Sequence, residues 1–128
     1  MAISFTEREL DVMAVLWRQG SGTVAEVRDA LPEDFAYTTV LTVLRTLEDK
    51  GYVTHLAEGK AHRYVPIVDQ ETAGRSALAR VLDKIFDGSP ELLLTQLVTG
   101  ESLDATKLRS LRKLLDDRLA GRRPRGSR

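Results

Sequence analysis

The sequence predicts a mainly α-helical chain with one small β-hairpin, in two parts. Three observations predict it. Residues 6–50 carry two Thr-x-x-Glu helix starts and then a long apolar stripe at helical spacing. Residues 52–66 form two short strand-like runs around Glu58-Gly59-Lys60. Beyond Asp69 come three leucine-rich helical segments, parted by Gly88-Ser89-Pro90 and by Gly100. Three helices with a short second member, followed by a hairpin, is the order of a winged helix-turn-helix. The expected layout is a winged helix-turn-helix domain over 1–67, a three-helix dimerisation domain over 68–120, and a disordered basic tail over 121–128.

The elements follow in order. Thr6 with Glu9 is a capping box that opens a helix to about Arg18, with Leu10, Met13, Leu16 and Trp17 on its apolar side. Gly20-Ser21-Gly22 breaks it. Thr23 with Glu26 is a second capping box, starting a short helix whose buried face is Val24, Val27, Ala30 and Leu31. Pro32-Glu33-Asp34 ends that helix, and Phe35-Ala36 leads into a third. Here Val40, Leu44 and Leu47 fall at i, i+4 and i+7, with Leu41 beside them. Gly51 is a helix stop. Tyr52 to Ala57 alternates as a half-buried strand would, and His62 to Val65 is a second strand that Pro66 ends.

In the second part, Asp69 can cap a helix to about Phe86 with Ala77, Leu78, Val81, Leu82 and Ile85 as its apolar band. Ser89-Pro90-Glu91 starts a short segment containing Leu92, Leu93, Leu94, Leu97 and Val98. Asp104 or Ser102 caps the last helix, with Leu108, Leu111, Leu115 and Leu119. Three short helices this apolar cannot bury all their faces on one another, so an obligate homodimer is expected through Leu78, Val81, Leu82, Ile85, Leu93, Leu97, Leu108, Leu111 and Leu115.

Composition limits the function classes. Net charge is zero, with seven Lys/Arg against ten Asp/Glu over residues 1–66 and twelve against nine over the rest. The chain has no cysteine, which removes disulfides, thiolate metal sites and a nucleophilic thiol. No run of about 18 apolar residues occurs, so no membrane insertion and a cytoplasmic location are expected. No Ser/His/Asp trio, carboxylate pair or phosphate-cradling glycine loop stands out, so neither an enzyme nor a bound cofactor is expected. His55 and His62 lack the partners of a metal site and read as surface strand residues.

The third helix carries the functional signal. Thr38, Thr39, Thr42, Arg45 and Thr46 share its exposed side, where Glu and Lys are the usual helix-favouring choice. Short hydroxyl side chains suit a helix lying tightly on another surface, and double-stranded DNA offers phosphate oxygens and base edges to such groups. With Tyr37 at the helix start and Lys60, His62 and Arg63 on the hairpin, these are the expected DNA contacts. The competing class is a winged helix used for protein–protein assembly, which zero net charge permits and which salt-insensitive association would reveal.

The sequence resembles the penicillinase repressor family (BlaI/MecI) over essentially its whole length. The resemblance is carried by Thr6-x-x-Glu9 with Val12-Met13 and Leu16-Trp17, by Tyr37-Thr38-Thr39-Val40-x-Thr42-x-Leu44, by Leu47-x-x-Lys50-Gly51 and by Gly59-Lys60-x-x-x-Tyr64-x-Pro66. It implies a homodimeric repressor on a palindromic operator. It also implies inactivation by a regulatory protease within the dimerisation helices, downstream of a β-lactam sensor. Where such members are cut at Asn-Phe, this chain has Gln96-Leu97.

Overall fold

The computed structural model describes residues 3–100 and 102–122. The elements are α1 (Glu7–Gln19), β1 (Gly22–Thr23), α2 (Val24–Ala30), α3 (Tyr37–Asp49), β2 (Val53–Glu58), β3 (Ala61–Pro66), α4 (Gln70–Lys84), α5 (Pro90–Val98) and α6 (Ala105–Leu119). They divide into two compact units, Met1–Ala79 and Arg80–Arg128, whereas the sequence suggested a division at residue 67.

The first unit is a three-helix core with a three-stranded antiparallel sheet of order β1-β3-β2. Both capping boxes form. Thr6 and Thr23 accept from the backbone N–H of Glu9 and Glu26, whose carboxylates accept from the threonine N–H in return. α3 ends where Tyr52 N–H reaches Leu47 O at 3.0 Å and Gly51 N–H reaches Glu48 O at 2.9 Å. That closure puts Gly51 at φ 84, a left-handed geometry that glycine takes without Cβ strain.

Burial centres on Val12, Met13, Val15 and Leu16 of α1, Val24 and Val27 of α2, Val40, Leu44 and Leu47 of α3, and Tyr52, Val53 and Tyr64. Phe5 stands edge-on to Trp17, and the Trp17 Nε1–H donates to Val68 O at 2.8 Å. Trp17 is thus a half-buried seal at the edge of the core.

Some expectations need correction. Leu10 is 45% exposed while Glu9 is buried, because the inward stripe of α1 runs through residues 9, 12, 13 and 16. Only Val53 of β2 is buried, so the strand is not half-buried along its length. The alternation expected there fails because burial in the hairpin is confined to its base, at Val53 and Tyr64. The two-residue β1 was not foreseen. It pairs Gly22 with Tyr64 and Thr23 with Arg63, and a Cβ on Gly22 would lie 2.9 Å from Val27 Cγ2, so α2 packs directly on that backbone.

In the second unit, Ser89 and Asp104 cap α5 and α6 by accepting from Leu92 N–H and Lys107 N–H. No apolar side chain of its described residues is fully buried: Ile85 is 69%, Leu97 45%, Leu108 38% and Leu115 51% exposed. Leu82, Leu93 and Leu111 are half-buried. In α4, which begins in the first unit, Leu78 and Val81 are exposed. Of the tail expected over 121–128, Gly121 and Arg122 lie among the described residues. Arg122 N–H bonds Asp117 O at 2.7 Å and its side chain donates to the Asp117 carboxylate. The remainder of that tail, 123–128, lies outside the described residues. No helix among the described residues is long and apolar enough to cross a membrane.

Candidate nucleic-acid interface

α3 presents Tyr37, Thr38, Thr39, Thr42, Arg45 and Thr46 outward while Val40, Leu44 and Leu47 pack inward. The threonines have a defined geometry. Thr42 Oγ1 donates to Thr38 O and Thr46 Oγ1 donates to Thr42 O, each at 2.9 Å. With the hydroxyl protons used inside the helix, each side chain offers its methyl group and oxygen lone pairs to anything lying on this face. Ala36 caps α3 without a side-chain hydrogen bond, and the first turn holds no acidic residue. Both features leave this helix end open to an anionic surface.

The hairpin supplies the second part. Its turn is Gly59-Lys60, closed by the pairing of Glu58 with Ala61, and Lys60 is exposed at the tip. Successive strand residues point to opposite faces, so His62 and Arg63 diverge. His62 shares its face with Tyr64 and His55. The two imidazoles stack at 4.3 Å, and the Glu48 carboxylate lies 2.7 and 2.8 Å from His55 Nδ1. Burial pushes the Tyr64 phenol up, the nearby Glu48 carboxylate adds to this, and the Arg45 charge and hydrogen bond oppose it.

Arg63 lies apart from His62. It was expected beside Lys60 and His62 as a basic contact, but its guanidinium is occupied on the other face of the sheet. Nη1 and Nη2 hold the Glu26 carboxylate at 2.9 and 3.0 Å, Nε and Nη2 hold Glu58 at 2.8 and 2.9 Å, and Nη1 also donates to Ser21 Oγ. The Arg63 hydrogen bonds hold both carboxyls below the usual carboxylate range. The strand period in the sequence already separates Arg63 from His62.

Two further side chains flank these elements. His55 completes the ring stack, which its cross-strand position makes legible only once the register is known. Arg28 of α2 lies over the Tyr37 ring at 6.0 Å, beside the start of α3. Among the described residues, no group of three or more His, Asp or Glu side chains is placed to hold a metal ion.

An outward threonine helix, an uncapped helix start and a hairpin whose tip is a lysine coincide with a match of residues 5–117 to the penicillinase repressor family. The chain belongs to that family. This repressor is 38% identical over 120 residues to the transcriptional regulator BlaI of Mycobacterium tuberculosis, covering 88% of this chain and 83% of that one. It is 24% identical over 114 residues to the penicillinase repressor of Bacillus licheniformis, covering 88% and 89%. The solution structure of the DNA-binding domain of the repressor BlaI superposes with TM-score 0.50 at 30% identity, over 56% of this chain and 93% of that domain. The fold is therefore a winged helix, and the protein is a transcriptional repressor rather than an enzyme.

Proposed function

We propose that this repressor binds a palindromic DNA operator as a homodimer, with α3 in the major groove and the hairpin on the flanking backbone. Tyr37, Thr38, Thr39, Thr42, Arg45 and Thr46 meet bases and phosphates, and Lys60 and His62 meet phosphates. The observation that carries this reading is the outward face of α3: four threonines, two with their hydroxyl protons turned into the helix. Methyl groups and oxygen acceptors are what thymine methyls and base amino groups accept as partners. Residues 1–67 serve as the reading domain and 68–120 as the dimerisation domain, where exposed leucines call for a second copy.

Control by a regulatory protease fits the same framework. Gln96 and Leu97 are exposed on α5 but helical, so cleavage requires local unfolding of that short helix. A fragment ending at Gln96 should appear by mass spectrometry when the target genes are induced.

Selection from a random duplex pool tests the central reading. It should return two inverted half-sites whose centres lie about 34–36 Å apart or a multiple of that. Binding should weaken steeply with salt. Association that ignores salt and selects no sequence would favour a protein–protein module instead.

A further inference from the structure

Arg63, an expected DNA contact, is engaged within the protein. Arg63 lies at the centre of three segments: Ser21 in the loop before β1, Glu26 in the first turn of α2, and Glu58 beside the hairpin tip. Two carboxylates each receive a pair of parallel N–H bonds from one guanidinium, the geometry that sets Arg apart from Lys. Exposed single ion pairs hold little in place, but bidentate networks are the exception. The Arg63 side chain is 26% exposed, against 48% for Glu26 and 53% for Glu58. Glu26 is itself fixed, since its carboxylate also accepts from Thr23 N–H in the α2 capping box.

We propose that Arg63 is a positioning residue for the wing, bracing Glu58 against the start of α2 so that Lys60 is delivered to the DNA backbone at a set angle from α3. The inference rests on the DNA-binding reading above. It assigns Arg63 no phosphate, because its five N–H donors already meet carboxylate or hydroxyl oxygens. It also gives the two acids a purpose: Glu58 is kept two residues from a phosphate-binding lysine because it holds the tip. A reading by charge alone gives the opposite sign, since removing an acid beside Lys60 would then strengthen binding.

The experiment measures salt slopes on a mixed-sequence DNA duplex, where phosphate contacts count whatever the operator. In the full-length wild type, Lys60→Ala should lower the slope by about one per subunit. In Glu58→Ala or Arg63→Met backgrounds the same change should lower it by less than half as much, because the tip no longer sits on the backbone. Thermal melting checks folding, and the solvent-facing Glu58→Ala keeps the test intact if Arg63→Met unfolds. An undiminished Lys60 effect in both backgrounds overturns the brace, as does a Lys60→Ala change without effect in the wild type. A wild type that binds no duplex at all overturns the DNA reading itself, a result distinct from binding with uncoupled Lys60.

Discussion

Lys50 Nζ reaches the Glu9 carboxylate at 2.8 Å across 41 residues of sequence, joining the end of α3 to the start of α1. Glu9 is only 4% exposed, yet it carries three tasks: it closes the capping box at Thr6, pairs with Lys50, and sits in the inward stripe of α1. Burial pushes its carboxyl up, but the Lys50 hydrogen bond, the Thr6 N–H and the Lys50 charge together hold it below its usual value. Lys50→Met should strand that carboxylate. Loss of one partner from a buried pair costs about 3–5 kcal/mol, reduced here to about 1–2 because the Lys50 side chain is 36% exposed and partly screened. Urea unfolding would read it. A variant as stable as the wild type would show that the pair contributes nothing.

The same carboxyl sets an acid limb. A depressed folded pKa means stability that is present above the unfolded value, near 4.5, and lost as pH falls through the folded one. The wild type should therefore lose melting temperature over the interval below about pH 4.5. Glu9→Gln, which cannot titrate, should lose less over that interval while starting lower at pH 7. Parallel curves for the two proteins would remove Glu9 from the acid response.

Thr42 separates two modes of readout. Its hydroxyl proton goes to Thr38 O, so its outward methyl is the group expected to meet a base. Thr42→Ala should cost about 1–3 kcal/mol of operator binding and relax one position per half-site. Thr42→Val, which keeps a methyl and loses the oxygen, should bind better than Thr42→Ser, which does the reverse. Fluorescence titration on the selected operator ranks them, and the opposite order would make the oxygen the reading group.

What the sequence made legible was local. The two capping boxes, the stripe of Val40, Leu44 and Leu47, and the Gly51 stop are each determined within a few residues, and all appear as read. What it hid depends on distant partners. Glu9 looks like a surface acid until Lys50 arrives, and Leu10 then turns outward one step round the helix. β1 is two residues long and has no pattern of its own; it exists because Tyr64 and Arg63 offer an edge. The outward position of the α3 threonines was legible, since Val40, Leu44 and Leu47 fix the opposite face. The pairing of Arg63 with Glu26 and Glu58 was hidden too, because it depends on α2 and on the register of the hairpin.

The second unit supports one last prediction, about assembly. Ile85 is 69% exposed in the single chain, so an aspartate there would cost little if the protein worked alone. In a homodimer closed over the leucine faces, Ile85→Asp would bury an unpaired charge, and the dimer should fall apart. The wild type should sediment as a dimer whose melting temperature rises with protein concentration, while Ile85→Asp should sediment as a monomer without that dependence. Operator binding should weaken in step. A single head has access only to weak contacts, whereas linking two makes the second contact nearly intramolecular and raises avidity by about 10²–10⁴. The effect on a half-site should be small by comparison, because one head suffices there. An Ile85→Asp protein that stays dimeric would place the pairing surface elsewhere, and a monomer that binds the full operator as tightly as the wild type would separate repression from dimerisation.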